Sequence, residues 1–487
     1  MDVTLGAVLS FVLTPIVMLA TIYVAASYLL RFGMLLVAAL EVRRQRWNRT
    51  IEMPEAAVVS ELTRPVSVLI PAHNEEQSIC RTVQSLLAQA LPPFEIIVIS
   101  DGSTDRTLAV LHDAFELYLV NELPVADIPT QNVRAVFRSR LQPALKVIDK
   151  RNGGKADALN VGINYSHGRL LCVIDADVVL DRWALYYLSV PFTKDEKTIA
   201  SCGTIRLHNG CPLTPEGVQR VDLPPSLLER LQIVEYTLAF GIGRMFFNLG
   251  DSHVVISGAF GLFSRQAVLE VGGFQANAIG EDMEIVVRLQ RQFRQDARQF
   301  RIVFVADAVC YTEAPETLKE LGNQRTRWHQ GLLTTLRLHR QMIGRPRYGA
   351  VGLFTLPYFL LFELWSPVVE VLGWLTVLIG TLTGLVDGRT TLTFIGVTFV
   401  LGTTLSWAGI FLDDIASSYF RSFRQVLALA LYAVLDNLGY HQVMLYFRLR
   451  AFVRYYRGVH LKGGWISPQR IAAARQARDA APAGERV

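Results

Sequence analysis

The amino-acid sequence predicts an α/β domain, built on a mostly parallel sheet and inserted between membrane-spanning α-helices. Three observations predict it. A charge-free apolar run of membrane-spanning length opens the chain; a middle of ordinary soluble composition alternates short apolar strands with helical patterns; and long apolar runs return in the last third. The chain has 487 residues, of which 51% are hydrophobic and 19% charged. That length suffices for two or three units and a packed core. The low charge content is what an integral membrane protein requires. Net charge is only +5, with basic residues beside apolar runs rather than in one tract, which argues against nucleic acid as a partner and for a lipid bilayer.

Residues 5–30 carry no charge, and Arg31 ends the run. This is long enough to cross a bilayer and too long for the apolar core of a signal peptide. Arg43, Arg44, Arg46 and Arg49 follow, and the excess of basic residues on the inner side of a membrane places the next domain in the cytoplasm. The expected organisation is a membrane helix with a basic flank at 1–48, a linker at 49–60 and a cytoplasmic domain at 61–347. Interfacial and transmembrane helices follow at 348–447, then a basic tail at 448–487.

The later apolar runs are 348–386, 392–412 and 425–447, the first interrupted by Glu363, Pro367 and Glu370. The basic tail (Arg448, Arg450, Arg454, Arg457, Lys462) belongs on the cytoplasmic side, which three simple crossings would not allow. Either the first run crosses twice or one run lies in the interface. The final residues, AAARQARDAAPAGERV, have the composition of a frayed tail. Cys80, Cys172, Cys202, Cys211 and Cys310 form no CxxC pair and no metal-type spacing with histidine. They read as small buried residues or free thiols of a reducing compartment.

Within the middle domain, strands are expected at 66–70, 94–101 (FEIIVISD), 132–137 (NVRAVF) and 170–177 (LLCVIDAD). Polar clusters fall at their carboxyl ends, where ligands collect in such sheets: Asn74 and Glu75, Asp101 and Asp105, Lys155, then Asp175 and Asp177. Each cluster has two readings. Asp101 and Asp105 in DGSTD either cap the next helix or face a ligand. Lys155 after two glycines is either a solvated loop residue or a phosphate contact on a backbone that can approach closely. Asp175 and Asp177 leave their strand at i, i+2 spacing, which can turn both carboxylates to one side. Paired hard oxygens of that kind suit Mg2+ or Mn2+ bridging to a diphosphate. Glu281 and Asp282 open an amphipathic helix, either as first-turn acids favoured by the helix dipole or as a general base for a hydroxyl nucleophile.

The run PAHNE, SDGSTD, GGKADALN, DAD, SGAFGLF, GED and QRTRW, in that order over residues 66–331, resembles the inverting family 2 glycosyltransferases of the Rossmann-like GT-A fold. With flanking membrane helices, the chain is similar to the processive synthases of cellulose, hyaluronan and poly-N-acetylglucosamine. YTEAPETLKELGNQRTRWHQG looks closest to the last. The resemblance implies that Asn74, Glu75 and Asp101 contact the nucleoside of a UDP-sugar donor and that Lys155 lies near its diphosphate or sugar. It implies that Asp175 and Asp177 form the DxD pair, with Asp177 on Mg2+ or Mn2+. Asp282 is then the base, and Glu281 orients it or binds acceptor. Gln324, Arg325, Arg327 and Trp328 cradle the diphosphate and the acceptor sugar.

Three features depart from the family pattern. Ser100 stands where a second aspartate is common, 138–150 makes a long connection expected as an extra surface feature, and the tail after Phe447 is short for an appended cyclic-dinucleotide-binding barrel. The activity implied is transfer of sugar to a growing β-linked polysaccharide at the plasma (inner) membrane, coupled to export and open to an accessory subunit. The alternative is single transfer to a lipid-linked acceptor.

Overall fold

The computed structural model describes residues 2–49, 64–276, 278–417, 419–420 and 422–459. The expected linker beyond Arg49, and the tail from 460 onward including Lys462, lie outside them.

Helix α1 (Asp2–Arg49) is followed by β1 (Val66–Ala72), α2 (Ile79–Leu87), β2 (Glu95–Asp101) and α3 (Thr107–Phe115). Then come β3 (Leu117–Val120), β4 (Val133–Ser139), β5 (Leu145–Lys150), α4 (Lys155–Asn164), β6 (Leu170–Ile174), β7 (Val179–Leu180) and α5 (Ala184–Lys194). Strand β8 (Thr198–Leu207), the small hairpin β9 (Leu213–Thr214) and β10 (Gly217–Val218), and α6 (Leu227–Tyr236) lead to β11 (Phe260–Ser264), α7 (Glu281–Gln295) and β12 (Arg301–Thr312). Helices α8 (Leu318–Leu338), α9 (Ser366–Leu382), α10 (Gly388–Ser417), α11 (Phe423–Leu435) and α12 (His441–Tyr456) complete the order.

The main sheet runs β3-β4-β5-β2-β1-β6-β11-β8-β12-β7. Its centre, β5-β2-β1-β6, is parallel. Strand β11 runs antiparallel between β6 and β8, so the sheet is mixed. Alternate side chains of β1 and β2 enter opposite cores: Leu69, Ile97 and Ile99 on one face, Val68, Ile70, Ile96 and Val98 on the other. Burial on both faces is why these strands read as unbroken apolar runs.

The strand expected at 132–137 is β4, antiparallel to both β3 and β5. One expectation is corrected here. The long connection at 138–150 is not a surface feature: its second half is β5, paired in parallel with β2 and buried at the centre of the sheet. Its lysines hid it. Lys146 lies 2.5 Å from Glu122 and 3.6 Å from Glu95, and Lys150 is wholly buried against two aspartates, so both charges are neutralised by acids distant in sequence.

Among the described residues, two helices are long and apolar enough to cross a membrane, at Thr14–Arg44 and Gly388–Ser417. A third candidate is the pair Val351–Leu364 and Ser366–Leu382, bent by 44° where Glu363 and Pro367 interrupt the first C-terminal run. The last expected run is helical throughout: α11 passes into α12 without a break through a π-helical turn at Asp436–Tyr440, and α12 packs against α8. A buried two-pronged ion pair joins Arg206 of β8 to Asp413 of α10, at 2.7 and 3.0 Å, and fixes the sheet to an apolar helix. All five cysteines are free.

Candidate active site

The parallel register of β1, β2, β5 and β6 brings their carboxyl ends to one edge, and the polar clusters with them. Strand β11 adds a fifth contributor. Its antiparallel pairing sets Phe260 opposite Ile174, so Ser257, Gly258 and Ala259 lie beside the turn that carries Asp175 and Asp177.

At the first cluster, Asn74 takes a left-handed backbone (φ 56°) and accepts a hydrogen bond from the Thr104 N–H at 2.6 Å. The Glu75 N–H donates to Thr107 Oγ1 at 2.7 Å, and Ser78 Oγ donates to the Glu75 carboxylate at 2.9 Å. These residues lock the β1 loop onto the DGSTD turn. The capping reading holds for Asp105, which accepts from the Thr107 N–H at 3.0 Å in the first turn of α3.

Asp101 departs from expectation. It is fully buried, and its oxygens accept from the Gly153 N–H (2.9 Å), the Gly154 N–H (2.8 Å) and Lys150 Nζ (2.5 Å). It faces the glycine loop rather than the cleft.

Lys155, first residue of α4, is the hub. Its ammonium lies 2.5 Å from Asp175 Oδ1 and 3.6 Å from Glu281 Oε1, and donates to the Gly258 carbonyl at 3.4 Å. Burial opposes its charge, but Asp175, Glu281 and Asp282 together overcome that and raise its pKa, so it is a fixed cation. Asp282 accepts from the Gly258 N–H at 3.2 Å and from the Met283 N–H at 2.8 Å, which turns it toward the β11 loop while keeping it in the first turn of α7. Burial and neighbouring Asp282 raise the Glu281 carboxyl against the pull of Lys155. Gly258 has a steric reason. A Cβ there would stand 2.6 Å from Lys155 Nζ, so Gly258→Ala is expected to displace the ammonium and weaken donor binding several-fold. Its melting temperature should stay within a few degrees, because the displaced atom ends a flexible side chain; unaltered donor affinity would dissociate Lys155 from the donor.

Asp177 sits in excess negative charge. Burial, then Asp175, Glu75 and Glu313, push its carboxyl well above the usual range. Glu313 was not singled out in the sequence. It follows β12, and extending the pairing of Tyr311 with Val179 by two residues sets it opposite Asp177. Among the described residues no three His, Cys, Asp or Glu side chains converge as a closed cage. One or two carboxylates with surplus negative charge fit a hard divalent cation that keeps waters and shares a diphosphate, so Asp175 and Asp177 would hold Mg2+ or Mn2+.

The QRTRW stretch lies on α8, whose start is capped by Thr317 accepting from the Glu320 N–H at 3.3 Å. Gly331 brings this helix onto the GED turn: a Cβ on it would be 3.2 Å from the Gly280 Cα. That approach sets Arg327 near enough to Glu281 to favour its ionised form. Trp328 is exposed at 37% and meets Phe240 edge-on at 5.8 Å and Tyr236 at 6.3 Å. Arg325 is corrected. Instead of facing a diphosphate it is buried, bonded to Glu235 at 2.7 Å and Gln324 at 2.5 Å, and stacked 4.1 Å from Trp328. Arg325 and Trp328 are three positions apart, which on a helix is about one turn, so the two stack.

Comparison with known proteins bears on this arrangement. Poly-beta-1,6-N-acetyl-D-glucosamine synthase of Staphylococcus aureus (strain COL) is 30% identical over 266 residues, 55% of this chain and 54% of that protein. Its counterpart from Staphylococcus epidermidis is 29% identical over 267 residues. The chain thus spans about half the length of the curated relatives it matches. Among solved structures, a mannosyltransferase from Pyrobaculum calidifontis in complex with GDP-Man and Mn2+ aligns with a TM-score of 0.48 and 15% identity, over 86% of this chain and 99% of that one. The model of the family described as "Glycosyltransferase like family 2" matches residues 64–331, from just before β1 through Gly331 where α8 meets the GED turn. That is more than half of the 487 residues, and the chain therefore belongs to glycosyltransferase family 2.

Proposed function

We propose that this chain is a membrane-embedded inverting glycosyltransferase that moves a sugar from a UDP-sugar to the hydroxyl end of a growing β-linked polysaccharide. The catalytic domain lies on the cytoplasmic side of the plasma membrane. The observation that carries the proposal is the bridge made by Lys155, whose ammonium joins Asp175 of the DxD turn (2.5 Å) to Glu281 of the GED turn (3.6 Å). Donor chemistry and acceptor chemistry meet at that one cation.

In this reading the acceptor hydroxyl attacks the anomeric carbon opposite the diphosphate. The new C–O bond forms as the bond to the leaving oxygen breaks, and UDP departs with that electron pair. Asp282 takes the hydroxyl proton. A bound Mg2+ or Mn2+ supplies Lewis-acid neutralisation of the diphosphate. Lys155 adds fixed positive charge beside Asp175, and Asn74 and Glu75 shape the loop that holds the nucleoside. Arg327 offers a planar guanidinium to the leaving group or acceptor, and Gln324 an amide. Trp328 presents a face on which the apolar side of a pyranose stacks.

Helix α8 continues from this site against α12: a Cβ at Gly322 would collide with the Phe447 ring at 2.6 Å, and Arg450 bonds Thr326 at 2.8 Å. The acceptor platform is thereby attached to the C-terminal helices, which supports extension coupled to passage across the membrane.

The names of the relatives make UDP-N-acetylglucosamine the first donor to try. Purified full-length chain in lipid nanodiscs, given radiolabelled UDP-sugars with Mn2+, is expected to make long polymer from one of them. A single added sugar in a product extractable into organic solvent would instead assign a lipid-linked acceptor and overturn processive synthesis.

A further inference from the structure

Lys150 lies outside the motifs read in the sequence and has no contact with solvent, yet it sits directly behind the proposed donor site. Its three N–H bonds are satisfied by Asp101 Oδ1 (2.5 Å), Asp157 Oδ2 (2.6 Å) and the Arg151 carbonyl (2.6 Å). Each partner anchors something else. Asp101 ends β2 and receives the N–H groups of Gly153 and Gly154. Asp157 lies in the first turn of α4 and receives the Gln131 N–H at 3.0 Å. The Asp101 carbonyl takes hydrogen bonds from Asn152 Nδ2 at 2.8 Å and pairs with His73 Nδ1 at 2.8 Å. The ends of β2 and β5 and the start of α4 are therefore tied through one buried ammonium, and the end of β1 joins them through the Asp101 carbonyl.

We propose that Lys150 is a positioning residue of the donor site: by binding Asp101 and Asp157 together it sets the Asn152–Gly153–Gly154 loop and so aims Lys155 at the bound diphosphate. The buried triad carries one positive and two negative charges, and the glycine N–H groups offset the surplus. A cation that only filled space would not need to bridge the strand end to the helix that carries the reactive lysine. Its fixed geometry lets the loop meet the nucleotide already formed, without ordering cost at binding.

This rests on the reading of Lys155 as the donor-site cation, so Lys155→Ala is the control: unchanged UDP affinity there would defeat that reading and not the role of Lys150. The test proper is Lys150→Met combined with Asp157→Asn, which restores the net charge of the triad and removes the bridge. UDP binding in the presence of Mn2+, by titration calorimetry, is expected to weaken about tenfold or more. Turnover at saturating donor should fall no further than it does in Lys155→Ala, because the ammonium is misaimed and not removed, a bound that mere loss of folded protein would not respect. A folded double variant with unchanged UDP affinity would overturn the proposal. Hydrogen exchange on the unliganded native chain decides independently of whether the variant folds. The Gly153 and Gly154 amides are expected to exchange as slowly as those of β5, and fast exchange there would overturn it equally.

Discussion

Asp282→Asn is expected to bind UDP normally and to transfer sugar about 10²–10⁴-fold more slowly, the contribution of a positioned general base. Asparagine preserves the shape of the side chain, and its oxygen still accepts the Gly258 N–H that holds Asp282 toward the β11 loop. What it lacks is a carboxylate able to take the proton of an attacking hydroxyl. The loss should therefore appear in kcat, with UDP affinity within about twofold of the parent. Glu281→Gln is the companion measurement, because the two acids are adjacent and both lie close to Lys155. Glu281 is raised by burial and by Asp282, so its neutral replacement should keep measurable turnover. Full activity in Asp282→Asn, or an inverted ranking of the two variants, would move the base from Asp282 to another group.

Asp177→Asn is expected to separate stability from binding in opposite directions. In the native chain its carboxyl is pushed up by burial and by Asp175, Glu75 and Glu313. A carboxylate whose folded pKa exceeds its unfolded value costs stability when it is ionised, and that cost is present at neutral pH. Neutralising it should leave the melting temperature the same or higher. Mn2+-dependent UDP affinity should fall by more than the about 10–100-fold that follows loss of an outer-shell metal partner. Such an exchange of stability for function is common at binding sites. If Asp177→Asn melts lower and keeps metal-dependent UDP binding, Asp177 is a structural acid and the metal lies elsewhere.

The order of motifs along the chain was readable because each follows from local chemistry. Apolar runs of five to seven residues ending in polar clusters specify strands with a functional edge, and first-turn acids specify the start of α7. What was not readable was which charged residues face the cleft and which are buried partners. Lys146 and Lys150 looked like surface residues because their acids lie elsewhere in sequence, Glu95 and Glu122 for one, Asp101 and Asp157 for the other. The strand they sit on was missed with them. Arg325 and Arg327 are two positions apart in one motif, and only their angle on α8 sends the first into Glu235 and leaves the second by Glu281.

Strand-end acids, a glycine loop with a lysine, and a cationic, aromatic helix at the border of an apolar region were therefore legible along the chain. Those are local patterns, and local patterns survive without knowledge of neighbours. Packing across the fold decided that the antiparallel β11 lies between β6 and β8 and carries Gly258 to Lys155. It also decided that Gly331 lets α8 close on the GED turn, and that Asp101 turns inward to a buried lysine. These are pairings between residues from about fifty to more than a hundred positions apart, and their energies depend on desolvation and mutual neutralisation, which no stretch of sequence carries alone.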